Sequence, residues 1–322
     1  MQQPLEDCGA VLAERLERLD KYLIDNQVPI PDRPFNAAWR LVKSGAVKVK
    51  GGIEKGFVQT PWFAAILRMT LAWYREKYQQ GLSHQDDPLI GVCLHNGAAL
   101  ELRIPKTLKK IEKEGKTSWL IFPYDLQNED RPKTWIVRPP NLKSMDSRER
   151  TQLLSKVVKI GSCLRAIYLN LMTAEKPDSI AEGLTNSILP HLAISAEQIL
   201  APQQRTLNLA CWEAHQAAES SLKLLSRQRR GKHEPTHELK RLYDKISGLQ
   251  GIRISSSLIS KLPTGREVIK MRANEGQPRT LSEAYRIYFA ALWLVKQCTA
   301  AMPRKYVVRN ARILLKKPDW LD

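Results

Sequence analysis

The stretch LNLACWEAHQAAESSLKLL, residues 207–225, carries apolar side chains at every third or fourth position. In an α-helix this spacing places them on one face, so the stretch predicts a long amphipathic helix with one buried side. That face consists of Leu207, Cys211, Ala214, Ala217, Ala218, Leu222 and Leu225. An apolar face of this length needs partner helices to cover it.

Partner helices are predicted after this stretch. A second apolar stripe consists of Leu239, Leu242, Ile246 and Leu249. The pair Thr280 and Glu283 has the spacing of a capping box, which predicts the start of a last long helix. Three such helices joined by loops predict an up-and-down bundle over residues 203–302 that folds on its own.

The preceding residues contain both helix and strand patterns. Apolar periodicity predicts helices over residues 9–25 and 61–79, and alternation before a glycine pair predicts a short hairpin over residues 46–52. The capping-box spacing also occurs at Asp146 and at Ser195, which predicts a helix start at each.

Strand-like runs occupy residues 89–94, 98–104, 118–122 and 134–137, and Asn96-Gly97 between the first two is a hairpin signal. The predicted fold class is therefore α+β, mainly helical, with a small antiparallel sheet in the N-terminal region. The predicted domains are a mixed helix and strand domain over residues 1–200, a helical bundle over residues 203–302 and a basic tail over residues 303–322.

Positive charge is concentrated in the last third of the chain. Lys and Arg number 51 against 33 acidic residues, for a net charge of +18, and residues 201–322 contain 23 of the basic and 10 of the acidic residues. This asymmetry favours RNA or another polyanion as a partner, because neutralised phosphates release counterions. A basic face that binds an acidic protein partner is the alternative. The predicted nucleic-acid-binding residues are Arg227, Arg229, Arg230, Lys232, His233, Arg304, Lys305, Arg309 and Arg312.

Other features of the sequence exclude several classes of protein. No apolar stretch approaches the length of a membrane helix, and the first residues lack the pattern of a signal peptide. The five cysteines are far apart and show no metal-ligand spacing, which is typical of buried thiols in a reducing compartment. We therefore predict a cytoplasmic protein with no membrane segment, no metal site and no cofactor.

Residues 214–225 and the element Thr236-His237-Glu238-Leu239 together resemble the HEPN family. In that family a Gln-Ala-x-Glu-x-x-Leu-Lys run, here beginning at Gln216, is followed across a loop by a Thr-His-x-Leu helix start. The run from Lys270 to Glu275 before the last predicted helix is similar to a basic segment of the same family, although Ala273 stands where an aromatic residue is usual. The resemblance covers residues 203–302.

The resemblance implies a dimeric helical bundle that engages RNA, often within prokaryotic defence, toxin–antitoxin or mobile-element systems. Active HEPN ribonucleases carry an Arg followed by four to six residues and a His. Arg230 with His237 meets that spacing, as does Arg227 with His233. A metal-independent endoribonuclease with Arg230 and His237 as catalytic residues is therefore one hypothesis. The other is a non-catalytic bundle in which Thr236 caps a helix and His237 lies at its start.

Overall fold

The computed structural model describes residues 5–45, 57–78, 88–113, 117–273, 275 and 277–316. These form two compact units, one from residues 1–85 together with 318–322 and one from residues 86–317. The hairpin predicted over residues 46–52 lies outside the described residues. None of the described helices is long and apolar enough to cross a membrane.

The first unit contains three helices, α1 (Leu5–Asp25), α2 (Arg33–Lys43) and α3 (Pro61–Tyr78). Short 3₁₀ turns precede α2 and α3 at Ile30–Asp32 and Phe57–Gln59. Helix α2 buries its apolar side chains at Pro34, Ala37, Ala38, Leu41 and Val42. Its opposite face carries aromatic and basic residues in solvent.

The second unit contains five strands and seven helices among its described residues. The strands are β1 (Leu89–His95), β2 (Ala98–Ile104), β3 (Leu108–Lys113), β4 (Thr117–Ile121) and β5 (Arg312–Lys316). The helices are α4 (Ser147–Thr173), α5 (Ser179–Leu200), α6 (Gln204–Arg230), α7 (Leu239–Asp244), α8 (Ser256–Ile259), α9 (Gly265–Arg272) and α10 (Leu281–Ala301). The prediction of a mainly helical α+β fold with a small antiparallel sheet is confirmed.

The long helices α4, α5, α6 and α10 form a bundle around one apolar core. Helix α6 lies between α5 and α10 and buries the predicted stripe of residues 207–225. The hairpin of β1 and β2 packs on α4 and α5, so its residues join the same core. At its tip, Asn96 and Gly97 both adopt the positive φ that a tight hairpin turn requires.

The structure divides the chain at a different place from the predicted domains. Helices α5 and α6 face each other across residues 200–203 and share core side chains such as Ile199 and Leu207, so the predicted boundary falls inside one core. The predicted tail, residues 303–322, contains β5, which pairs with β4 in the order β3-β4-β5. The observed division lies instead between residues 85 and 86.

Two local predictions for the residues before α6 are wrong. Residues 134–137 form no regular strand: Pro132–Trp135 is a 3₁₀ helix, and only one bridge joins Ile136 to Leu102 of β2. Trp135 is buried against Gly161 of α4, where an added Cβ would lie 2.3 Å from the indole ring. Ser195 starts no helix, because it lies within α5 and donates its hydroxyl to the carbonyl of Ala210, at 2.8 Å.

The helix starts predicted at Asp146 and Thr280 are confirmed. The Asp146 side chain accepts the backbone N–H of Glu149 at 2.7 Å, which caps α4. At α10 both bonds of a capping box are present: Thr280 Oγ1 accepts the N–H of Glu283, and the Glu283 carboxylate accepts the N–H of Thr280.

Candidate nucleic-acid interface

Helix α6 ends within the basic run predicted to bind nucleic acid. Gly231 follows the helix with φ +74°, a left-handed conformation that glycine adopts without strain, and its N–H donates to the carbonyl of Arg227 at 2.8 Å. The Ser226 hydroxyl then donates to the carbonyl of Lys232 at 2.9 Å. These two bonds turn the chain back, so Arg229, Arg230 and Lys232 lie close together at the end of the helix.

The segment after α10 reaches the same end of the bundle. Arg229 Nη2 donates to the carbonyl of Ala301, the last residue of α10, at 2.8 Å. The N–H of Lys305 donates to the carbonyl of Thr173 at the end of α4, at 3.0 Å. Arg304 pairs through its backbone with Ala174. We call this surface the basic end and define it by Arg229, Arg230, Lys232, His233, Arg304 and Lys305.

Burial and neighbouring cations lower two pKa values at the basic end. Burial and the positive charge of Arg309 lower the pKa of Arg304, whose Nη2 donates to the carbonyl of Ala300 at 2.5 Å. Burial, together with the charges of Lys223 and Arg227, lowers the pKa of His233. The buried Nδ1 of His233 and the buried Nε of Arg304 have no hydrogen-bond partner among the described residues. Arg304 therefore lies near another cation, Arg309, whereas His233 lies near the cations Lys223 and Arg227 and the carboxylates of Asp178 and Glu219.

Arg227 has a structural partner of its own. Its Nε lies 2.7 and 2.8 Å from the two carboxylate oxygens of Asp178, which also caps α5 by accepting the N–H of Ala181. The bond from Ala181 and the pairing with Arg227 lower the pKa of Asp178. The charge of Arg227 is thus matched within the protein, unlike those of Arg230 and Lys232, which form no ion pair in the described part of the chain.

The last two predicted binding residues lie near the three-stranded sheet. The Arg309 guanidinium stands 4.6 Å from the centre of the Tyr124 ring, and Arg312 Nη2 lies 3.5 Å from Gln127 Oε1. Asn310 Oδ1 accepts the N–H of Tyr124 at 2.8 Å and so attaches this segment to the loop after β4. Arg309 is close enough to lower the pKa of Arg304. No described contact joins Arg312 to the basic end.

A second cluster, centred on Glu219 of α6, contains His237. Glu219 is 4% exposed, and its carboxylate accepts Lys223 Nζ at 2.7 Å and His237 Nδ1 at 3.0 Å. His215 Nε2 lies 3.6 Å away. Burial alone would raise the pKa of Glu219, but the bonds from His215, Lys223 and His237 outweigh it and lower the pKa to about 2. Glu219 is therefore a buried anion near neutral pH.

His237 is held by this anion at the surface. Its side chain is 61% exposed, and its Nδ1 faces the carboxylate, so the hydrogen of the neutral ring is fixed on that nitrogen. His237 Nδ1 bonds to Glu219 and not to Arg230, and no hydrogen bond or ion pair between described atoms joins the two predicted catalytic residues. The Arg–His pairing stays a prediction.

The predicted cap at Thr236 is wrong. Helix α7 begins at Leu239 with Glu238 at its N-cap, and the Thr236 hydroxyl only accepts the N–H of Glu238 at 3.2 Å. His215 was not anticipated as a member of the cluster. It is fully buried, and its two ring nitrogens lie 3.1 and 3.0 Å from the carbonyls of Pro263 and His237, so it fixes the loop that carries His237. The sequence feature that could have indicated this role of His215 is a histidine within the apolar stretch of residues 207–225.

In the described ranges, no group of three or more His, Cys, Asp or Glu side chains could hold a metal ion. Comparison of the chain with protein-family models, curated proteins and solved structures finds no significant match.

Proposed function

We propose that this protein binds RNA, or a polyanion of the same charge density, through the basic end. The observation that carries the proposal is the hydrogen bond from Arg229 to Ala301. It brings together two basic segments that lie 72 positions apart in the sequence, the run after α6 and the run after α10. A surface assembled from both presents several cations over a short distance, which a chain of phosphates can neutralise.

The local charge balance supports a polyanion over a structural role alone. Arg229 and Arg304 cap carbonyls at the end of α10, a role that uses one nitrogen of each guanidinium. Arg230 and Lys232 have no such bond to any residue that the structure describes, and burial together with neighbouring cations lowers the pKa values of Arg304 and His233. An anion bound here would relieve that repulsion.

The proposal is tested by the salt dependence of RNA binding. Fluorescence anisotropy with a labelled single-stranded RNA, at a series of salt concentrations, should give a strongly negative log–log slope. The double variant Arg230→Ala/Lys232→Ala should make the slope shallower by about 1.4, because each phosphate contact on a single strand contributes about 0.7. A slope near zero for the unmodified protein would overturn the proposal.

A matched control removes the same charge elsewhere. Arg266 and Lys270 are exposed on α9, whose last residue, Arg272, lies over Trp212 near the start of α6. Trp212 and Arg229 are separated by about 25 Å along the helix, from a rise of about 1.5 Å per residue. Arg266→Ala/Lys270→Ala should therefore leave the slope unchanged. If both double variants made the salt slope shallower by the same amount, the RNA would be attracted by the net charge of the protein and not bound at a defined interface.

A second candidate function is metal-independent RNA cleavage. The geometry of His237 favours it, since an exposed imidazole oriented by a buried carboxylate can exchange a proton with a bound substrate. Arg230 would be its partner by resemblance to HEPN ribonucleases. The same resemblance motivates the proposals of a homodimer formed through the bundle and of a role in a prokaryotic defence, toxin–antitoxin or mobile-element system. A protein-interaction subunit with a basic face is the remaining alternative.

A further inference from the structure

The first unit carries a groove between α1 and α2 in which exposed aromatic rings alternate with cations. The groove has a volume of about 420 Å³, and its walls include Tyr22, Trp39, Arg40 and Lys43. Tyr22 is 44% exposed and Trp39 is 38% exposed, although both belong to helices whose other faces are buried. Large aromatic side chains left in solvent beside basic residues are unusual for a purely structural surface.

Packing inside the unit explains why the rings stay outside. Helix α2 buries Ala38 and Leu41 on its apolar face, which turns Trp39 and Lys43, four residues apart, towards solvent. Phe35 extends the same exposed row by one more turn and is 45% exposed. The row therefore continues over two turns of α2 and is not a single stray side chain.

The cations of the groove are fixed by rings and not by carboxylates. The Arg40 guanidinium stands 4.5 Å from the centre of the Tyr22 ring, and Lys43 Nζ stands 5.7 Å from that of Trp39. Neither side chain forms a hydrogen bond or ion pair with any described residue, and the buried Nε of Arg40 has no partner. Arg18 at the rim forms a solvent-exposed pair with Glu14. The positive charge of the groove is therefore available to an incoming anion.

We infer that this groove binds single-stranded nucleic acid, with a base stacked on Trp39 and the adjacent phosphates held by Arg40 and Lys43. Single strands are bound by this combination of aromatic faces and cations, because every base has a π-face and every nucleotide a phosphate. A guanidinium stacked on a ring still presents its edge N–H groups to a phosphate. A duplex cannot use the ring, since its bases are already stacked. An acidic protein segment could use the charges but has no bases for Trp39.

This inference deepens the proposed function and rests on it, since both require that the protein binds RNA. It adds the class of substrate, a single strand, and a contact made by a different unit from the one that carries the basic end. Because the two sets of residues do not overlap, variants of each can be measured separately in the same full-length protein.

The experiment compares one RNA sequence as a single strand and as a duplex, by fluorescence anisotropy with the full chain. Trp39→Ala should weaken single-strand binding at least about fivefold, leave duplex binding unchanged and keep the salt slope. Trp39→Phe should retain most of the single-strand affinity, because it keeps an aromatic face. Arg40→Gln/Lys43→Gln should make the single-strand slope shallower by about 1.4.

The control is Met69→Ala on α3, which removes a side chain that is 51% exposed but has no π-face, and it should bind as the unmodified protein does. Circular dichroism verifies that each variant remains folded. Should Trp39→Ala unfold, Trp39→Gln replaces it as the variant without an aromatic face, and single-strand affinity equal to that of Met69→Ala would then contradict stacking.

Trp39→Ala that binds the single strand normally, or that loses duplex and single strand alike, overturns the inference. So does an Arg40→Gln/Lys43→Gln variant that loses the binding of polyglutamate while its binding of the single strand is unchanged, which would assign the groove to an acidic protein segment. The proposed function fails separately, when Arg230→Ala/Lys232→Ala leaves the salt slope unchanged while Trp39→Ala lowers affinity.

Discussion

Arg165 and Asp130 form a two-pronged ion pair inside the second unit, with both N–O distances at 2.8 Å and both side chains fully buried. Arg165 belongs to α4, whereas Asp130 lies 35 positions earlier in the loop after β4. The guanidinium also donates from Nε to the carbonyl of Pro105 and stands 4.7 Å from the centre of the Trp135 ring. One buried cation thus fixes two stretches of backbone against the bundle, the loop between β2 and β3 and the segment after β4.

Asp130→Ala should lower the free energy of unfolding by about 3–5 kcal/mol, because it leaves the Arg165 charge buried without its partner. Chemical denaturation followed by circular dichroism measures the effect. Asp125→Ala in the same loop is exposed and should change stability by less than about 0.5 kcal/mol. Equal effects in the two variants would contradict a structural role for the pair.

Gly161→Ala should destabilise the protein by about 1–3 kcal/mol, since the new Cβ would lie 2.3 Å from the buried ring of Trp135. Gly183→Ala in α5 is the matched control, because no atom lies within 4 Å of its added Cβ. Alanine is the better helix former, so Gly183→Ala should stabilise by about 0.5–1 kcal/mol. Thermal melts of the two variants should therefore shift in opposite directions.

Glu219→Gln should reduce the loss of stability at acid pH. The pKa of Glu219 is lowered to about 2 in the folded protein from an ordinary value of 4.5, so its contribution is complete above about pH 5 and is lost as the pH falls towards 2. Denaturation at pH 7, 5 and 3 should show a smaller decline for the variant than for the unmodified protein. Glu197→Gln, at an exposed position of α5, should keep the unmodified profile.

His237→Ala should lower the free energy of unfolding by about 0.5–1.5 kcal/mol and leave RNA affinity nearly unchanged. The variant removes one donor from Glu219, while a single imidazole adds little to the charge of the basic end. Melting and anisotropy measure the two effects. RNA cleavage that survives repurification and disappears in His237→Ala would assign the endoribonuclease function instead.

A fragment of residues 86–317 should fold cooperatively, whereas residues 203–302 alone should bind a hydrophobic dye and melt without a sharp transition. Helix α6 is buried against α5 as well as α10, so the shorter fragment exposes the face that α5 covers. Dye fluorescence and circular dichroism distinguish the two fragments. A sharply melting 203–302 fragment would support the domain boundary predicted from the sequence.

Local signals predicted the parts of this fold that depend on neighbours in the chain. The apolar period of residues 207–225, the capping box at Thr280 and the turn at Asn96-Gly97 all report contacts within a few positions, and all three are present. The strand predicted over residues 134–137 is wrong because Trp135 is buried against Gly161 of α4 and not within a sheet. The helix start predicted at Ser195 is wrong because the Ser195 hydroxyl donates to the carbonyl of Ala210, which lies on another helix.

The sequence predicts which segments of the candidate site are basic, but not which of their residues the fold brings together. The charge count marked the runs after α6 and α10, yet only the fold shows that Arg229 reaches Ala301 while Arg227 is matched by Asp178. The groove at Trp39 was missed because the net charge of the first hundred residues is close to zero. Its cations become distinctive only where α1 and α2 place them against exposed rings.

Strand β5 can pair with β4 only late in the synthesis of the chain. Its partner β4 leaves the ribosome early, but the pairing of Ile121 with Arg312 has to wait for 191 further residues. At a translation rate of about 5–20 residues per second, β4 keeps an open edge for roughly 10–40 s. The nascent chain therefore carries β4 with one edge unpaired for that interval, and factors that shield such edges should raise the yield of the native protein.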